Sequence, residues 1–228
     1  MEEVGLAYGL VKFLHLLLFV YWLGGDAGVY YSSGFVIDPM RSRDARLTAA
    51  KIFIGLDMLP RYCLALMLTV GGVLAYYVGV PHLSWQLPLI IILGPLWVWM
   101  VWAVHHYQGK PFGIRLAKID LYFRWFMITA IIVSVSYALF IDGRLQPYPW
   151  LAAKLYIFAT LILAGLLIRI KLPKFNDGFR TLATTGPTPE SDQQMLDGMR
   201  TARPYVWYIW FGVAASALIG VLKLGAGG

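Results

Sequence analysis

The chain has 228 residues, of which 59% are hydrophobic and only 14% are charged, and its mean hydropathy is +0.66. A soluble domain of this length needs far more polar surface, so the composition indicates an integral membrane protein. The net charge is +7. The basic residues do not form a stripe interleaved with aromatic residues on a soluble face, so nucleic acid is not expected as a partner. The single cysteine, Cys63, excludes an internal disulfide and is expected only to pack.

The predicted elements are six transmembrane helices, because each apolar run reaches the ~20 residues needed to cross the hydrocarbon core of a bilayer. The first begins with MEEVGLAYGL and no small-residue cleavage site follows, so we expect a retained helix rather than a signal peptide. The sequence therefore predicts an all-α polytopic helix bundle, a single transmembrane domain in the lipid bilayer. Charges, Pro or Gly bound the six spans at approximately 7–30, 52–80, 86–106, 121–141, 149–170 and 204–224.

The basic residues predict the orientation of these spans. They concentrate before and within helix two, between helices three and four, and between helices five and six. By the positive-inside rule, these segments face the cytoplasm and both termini lie outside. We expect a bacterial cytoplasmic (inner) membrane, with both termini in the periplasm. The Lys and Arg residues outside these segments are only Lys12, Arg144, Lys154 and Lys223.

The largest predicted loop, residues 171–203, contains a helix-start pattern. Thr188 fits an N-cap, Pro189 the first helical position, and Glu190 and Asp192 an acidic first turn. We therefore expect a short surface helix there, near the lipid headgroups. The chain has no phosphate-binding glycine loop, nucleophile elbow or HExxH motif, so the chemistry of those soluble enzymes is not expected.

Several ionisable residues fall inside the predicted spans, where each costs at least ~2.5–3.5 kcal/mol and needs a partner or a task. His15, Trp22 and Asp26 follow one another at helical spacing and share one face of the first helix. Asp57 and Arg61 stand one turn apart on the second helix, which predicts an ion pair inside the bundle.

With the N-terminus outside, His15 lies about 12 Å below the outer surface of the membrane. A lone histidine at that depth is either a hydrogen-bonded packing residue or a ligand of a metal or haem. Glycines on the first two helices leave gaps that either allow close helix packing or admit a flat macrocycle. Both alternatives stay open on the residues alone. The glycines concerned are Gly24, Gly25, Gly28, Gly71 and Gly72.

The first helix resembles that of a known family. Its pattern Lys12-x-x-His15, followed by Trp22-x-Gly24-Gly25, is similar to the first helix of HemJ-type protoporphyrinogen oxidases and of the related copper-resistance protein D (CopD) membrane domains. In HemJ proteins this histidine is associated with a bound haem b. The resemblance therefore implies a haem ligand at His15.

The resemblance continues in later helices. DMLPRYCLALMLTVGGVLA is similar to the family's second helix, and Trp150-x-x-x-Lys154 resembles the Trp and Lys that open a later one, while the Arg-Pro pair at 203–204 fits more loosely. The family's lysine is also associated with haem, which implies Lys154 as the second ligand. The chain departs from the family in GGDAGVYYSSG, which lacks the family's Arg and further His, and in two additional helices, three and four.

This resemblance implies a membrane protein that binds haem b and moves electrons. Oxidation of a porphyrinogen or a quinol is the candidate enzymatic activity of such a membrane oxidoreductase. The cofactor-binding residues expected are His15 and Lys154 as iron ligands, Trp22 and Gly25 from the matched motif, and Arg61 as a candidate for holding the haem propionates.

Depth in the membrane is consistent with the proposed pair of ligands. Lys154 lies about 7 Å below the outer face, against about 12 Å for His15. His105 is near the opposite face, about 25 Å from His15 along the membrane normal, so it is excluded as the second ligand. His82, in the outer loop, is the alternative to Lys154. Two protein ligands would leave no open iron position, which favours electron transfer over oxygen binding.

Two other functions stay open. CopD-like copper handling requires clustered soft ligands, and here the methionines are scattered over three helices while Cys63 stands alone. A membrane assembly subunit without a cofactor requires only that His15 packs as a polar residue. A homo-oligomer and a separate redox partner subunit are both compatible with the sequence.

Overall fold

The fold is described by a computed structural model that covers residues 2–223. All regular secondary structure in that range is helical. A five-residue π-helical segment, Tyr137–Ile141, extends the fourth helix. The helices in chain order are α1 Glu2–Ile37, α2 Arg43–Tyr77, α3 Gln86–His106, α4 Pro111–Ser136, α5 Pro149–Lys171, α6 Pro173–Thr184 and α7 Pro189–Leu222.

Six helices of the described chain, all except α6, are long and apolar enough to cross a membrane. This confirms the predicted all-α polytopic membrane bundle. In chain order, each spanning helix packs on the next, with α5 followed by α7. The last span, α7, also packs on α1, so the spans form a closed ring. Large buried side chains fill its core, among them Trp22, Trp97, Phe158 and Ile162.

Small residues bring α1, α2 and α3 close together. Gly25 of α1 faces Pro60 of α2, and a Cβ atom at Gly25 would lie only 2.9 Å from Pro60 Cδ. Thr69 of α2 donates its hydroxyl to the Ile90 carbonyl of α3 and accepts from the Gly94 amide at 2.9 Å. Such contacts are the expected means of helix association in lipid, where the surroundings are as apolar as the helix surfaces.

At one end of the bundle, where the three basic segments lie, the helices extend beyond the predicted spans. We call this the basic end. α1 continues to residue 37 rather than 30, α2 starts at 43 rather than 52, and α4 starts at 111 rather than 121. The predicted bounds are those of the apolar runs that cross lipid, so they stop short of these helix ends. A helix continues beyond the lipid where its polar turns pack on other elements.

The predicted loop 171–203 is largely helical. It contains α6, and the predicted short surface helix is instead the start of α7, which continues without a break into the last span. The predicted start itself is confirmed, with Thr188 as N-cap and Pro189 in the first turn. A reciprocal capping box joins Thr188 to Ser191.

A second, smaller core lies at the basic end and explains why these helices continue. Arg46 of α2 is fully buried beside it. Its guanidinium donates to the Val36 carbonyl at the end of α1 and to the Asp192 carboxylate of α7, both at 2.8 Å. This basic-end core therefore links three of the spanning helices to α6. It consists of Val36, Ile37, Ala50, Phe175, Leu182, Met195 and Met199.

Candidate functional site

His15 lies half-buried on α1 and faces Gly71 of α2. A Cβ atom at Gly71 would lie 3.3 Å from His15 Cε1 and 3.8 Å from Nδ1, so the glycine leaves room for the imidazole. His15 Nδ1 is buried, and no atom of the described residues forms a hydrogen bond with it. Because a buried polar atom without a partner is costly, this nitrogen requires a ligand or a water molecule.

Lys154 lies half-buried in the first turns of α5, at the end of the bundle opposite the basic end. Its ammonium rests against Gly220 of α7, where a Cβ atom would come within 2.6 Å of Nζ. Within the described part of the chain, Lys154 takes part in none of the ion pairs. His15 on α1 and Lys154 on α5 thus both lie on the side of the bundle away from the basic end.

Trp22 forms part of the packing below these two residues. It is 4% exposed, and its ring meets Phe158 of α5 edge-on, with the ring centroids 6.5 Å apart. Trp22 is seven residues further along α1 than His15, and Phe158 is four residues further along α5 than Lys154. The aromatic pair therefore lies deeper in the bundle than the imidazole and the ammonium, by about 10 Å and 6 Å respectively. It closes the space between α1 and α5 from that side.

Gly25 and Gly28 of α1 lie in packing contacts rather than beside His15. Pro60 fills the gap at Gly25, and Leu56 fills the gap at Gly28, where a Cβ atom would lie 2.9 Å from Leu56 Cδ1. Helix packing therefore accounts for both glycines. The expectation that Gly25 borders a cofactor stays a prediction, and Gly71 is the glycine that faces the candidate ligand.

Arg61 forms the expected ion pair with Asp57 on α2. The pair is not enclosed as predicted, because the Arg61 side chain is 49% exposed. Arg61 is thus paired with a carboxylate of its own helix, and its predicted contact with haem propionates stays a prediction.

A buried ionic network at the basic end of α4 and α5 was missed by the sequence analysis. Asp120 is 3% exposed, and its Oδ2 accepts from Arg124 Nε at 3.0 Å and from Arg169 Nη1 at 3.1 Å. The Arg124 guanidinium also lies 5.5 Å from the centre of the Trp97 ring. The spacing of four between Asp120 and Arg124 was the available signal. The partner on α5 required knowledge of the helix packing.

His82, the alternative second ligand, is held by its own loop. Its Nδ1 lies 2.8 Å from the Val80 carbonyl, and its ring meets Tyr76 edge-on with centroids 6.2 Å apart. A histidine held in this way through one nitrogen has the other free to ligate. His82 therefore remains the alternative to Lys154.

No group of three or more His, Cys, Asp or Glu residues that could hold a metal ion occurs in the described residues 2–223. Cys63 is buried, as its predicted packing role requires. Comparison with protein-family models, with curated proteins and with solved structures gave no significant match. The class that the structure defines is thus an all-α polytopic membrane bundle, in which His15 Nδ1 is buried without a partner among the described residues and Lys154 is half-buried.

The ion pair on α2 provides a first prediction. Arg61→Ala should leave Asp57 without its countercharge and lower the free energy of unfolding of the detergent-purified protein by about 2–3 kcal/mol, as judged from insertion scales. The double variant with Asp57→Ala should lose less, because removing both partners leaves fewer uncompensated charges. Arg200→Ala, an exposed residue, is the control. Equal losses in the single and double variants would show that the pair does not determine this stability.

Proposed function

We propose that this protein binds haem b between α1 and α5 and transfers electrons in a bacterial cytoplasmic membrane. The observation that carries the proposal is the buried Nδ1 of His15, which has no hydrogen-bond partner among the described residues, with Lys154 on the same side of the bundle. The resemblance of the His15 and Lys154 motifs to HemJ-type proteins supports it.

The residues at this site fit a haem in their donor chemistry. His15 offers an imidazole nitrogen and Lys154 an amine, the two nitrogen bases expected as ligands. The absence of a side chain at Gly71 and at Gly220 makes room for the His15 imidazole and the Lys154 ammonium themselves. Trp22 and Phe158 supply an apolar wall below. When bound, haem would supply one-electron redox chemistry, and protein ligands on both sides favour electron transfer over oxygen binding.

The role of the protein residues is to hold the donors in a dry environment. His15 can bind iron only as the neutral imidazole, since a charged imidazolium has no lone pair to offer. Lys154 must release a proton before its amine can bind iron. A porphyrinogen or a quinol is the proposed electron source.

An absorption spectrum tests the proposal directly. Protein purified in mild detergent from cells with ample haem supply should show a Soret band and, after reduction, the sharp bands of a six-coordinate b-type haem. A colourless protein would overturn the proposal. Metal analysis of the same sample would then separate copper handling from a cofactor-free assembly role.

We also propose that both termini are periplasmic and that the basic end faces the cytoplasm, as the positive-inside rule indicates. Cysteine substitutions at the exposed residues Lys110 and Asp177 should be protected from a membrane-impermeant maleimide in intact cells. Ser84→Cys, exposed at the opposite end, should react. Native Cys63 is buried and should give little background. The reverse labelling pattern would contradict this orientation.

A further inference from the structure

A groove of about 260 Å³ lies between the last turns of α1 and the middle of α7, at the basic end of the bundle. Tyr30 and Gly34 of α1 line one side, Arg203 of α7 lines another, and Arg41 lies beyond the end of α1. A Cβ atom added to Gly34 would meet nothing within 4 Å, so the groove is open at that point.

The groove carries an arginine without an anionic partner. The Arg203 guanidinium lies 4.9 Å from the centre of the Tyr30 ring, and its Nε is buried without a hydrogen-bond partner among the described residues. None of the ion pairs in residues 2–223 includes Arg203. A guanidinium stacked on an aromatic ring is held in place while its N–H groups remain able to bind an anion.

A second arginine lies at the outer rim of the groove. Arg41 stacks 4.2 Å from the centre of the Phe35 ring and forms an ion pair with Asp38 at 3.1 Å. Asp38 balances one of the two arginine charges. The groove therefore keeps a net positive charge of about one, which selects an anion.

The position of Arg203 on α7 indicates what kind of anion fits. Arg203 precedes Leu222 by 19 residues, about 28 Å of helix, which is close to the ~30 Å thickness of the hydrocarbon core. It thus lies at the boundary between headgroups and hydrocarbon. Trp207 and Phe211 follow it at intervals of four residues on the same helix face, and they are 57% and 81% exposed. An exposed apolar stripe therefore leads from the arginine into the membrane.

We propose that this groove binds the phosphate group of an anionic glycerophospholipid, with an acyl chain along Trp207 and Phe211. Arg203 and Arg41 bind the phosphate oxygens, and Gly34 leaves space for the headgroup. The positive charge suits the phosphate, the open space suits the headgroup, and the adjoining apolar stripe suits an acyl chain. Basic pockets at this level of a membrane protein are suited to anionic lipids. This site is separate from the His15 and Lys154 site and does not depend on haem.

Native mass spectrometry of the full chain in detergent tests the proposal. With phosphatidylglycerol and phosphatidylcholine of identical acyl chains, the wild type should retain one phosphatidylglycerol more tightly than phosphatidylcholine. Arg203→Gln should weaken this binding about fivefold, the effect expected for one basic residue near an anionic surface. Arg200→Gln removes one positive charge from an exposed position three residues earlier and should leave phosphatidylglycerol binding unchanged.

A glycine pair tests the groove itself without altering charge. Gly34→Leu should fill the groove and reduce phosphatidylglycerol retention at least as strongly as Arg203→Gln. Gly24→Leu, on the same helix and equally free of neighbours within 4 Å, should not. Equal effects of Arg203→Gln and Arg200→Gln would overturn the proposal. Full retention of phosphatidylglycerol by Gly34→Leu would overturn it as well. Displacement of the lipid by millimolar inorganic phosphate would show a free-phosphate site and overturn the lipid assignment.

Discussion

Replacement of His15 by alanine is expected to abolish haem retention by the purified protein. His15 supplies the buried nitrogen that has no partner among the described residues, so its loss removes a ligand that nothing nearby replaces. Lys154→Ala should instead leave a five-coordinate or water-ligated haem with an altered spectrum, because the buried His15 imidazole would still hold it. Absorption spectra of the two variants, oxidised and reduced, measure both effects. His106→Ala is the control, since His106 is exposed at the basic end and stacks on Trp102.

Glycine variants test the same site without removing either ligand. A Cβ atom at Gly220 would come 2.6 Å from Lys154 Nζ, so Gly220→Ala should displace the ammonium and shift the spectrum towards that of Lys154→Ala. Gly71→Ala should press on the His15 ring, because its Cβ atom would lie only 3.3 Å from His15 Cε1. Gly165→Ala on α5 meets nothing within 4 Å and should have no spectral effect.

The contrary outcomes separate the alternatives. If His15→Ala keeps the wild-type spectrum, His15 is a packed polar residue and the proposed ligand set is wrong. If Lys154→Ala changes nothing while His82→Ala alters the spectrum, His82 is the second ligand. In that case the resemblance to HemJ-type proteins does not extend to Lys154.

The six spans could be predicted because a bilayer imposes a strict length on apolar helices. The helix ends could not, because they depend on contacts between distant segments. Arg46 illustrates the reason: in the sequence it belongs to a basic linker, yet in the fold it is fully buried and bonded to residues of α1 and α7. A charge that marks the end of a lipid-crossing run thus does not mark the end of a helix.

The candidate site also contains some residues that the sequence could identify and others that only the fold reveals. His15 could be found because its depth and apolar neighbours made it exceptional within one helix. The sequence could not show which of Gly25 and Gly71 lies beside the candidate ligand. Only helix packing shows that Pro60 fills the gap at Gly25 and that His15 faces Gly71. The Asp120 network was missed because Arg169, 49 residues away on another helix, completes it. Local spacing predicts neighbours on one helix but not those across the bundle.

The second large effect is expected at Arg46. Arg46→Ala should lower the free energy of unfolding by about 3–5 kcal/mol, the usual cost of removing one partner of a buried ion pair. It would leave the Asp192 carboxylate and the Val36 carbonyl without their donors beside the basic-end core. Thermal unfolding in detergent measures the loss. Limited proteolysis between residues 173 and 203 should become faster, because α6 would be less firmly held.

Arg43→Ala is the matched control for this prediction. Arg43 donates to the Leu182 and Ala183 carbonyls at 3.0 and 2.6 Å, but it is exposed, so its loss should cost no more than about 1 kcal/mol. Equal losses in the two variants would contradict the special role of the buried arginine. His15 lies about 33 Å along α1 from its end at Ile37. An Arg46 variant that unfolds more readily should therefore keep the wild-type haem spectrum while folded, which separates a loss of stability from a loss of ligand.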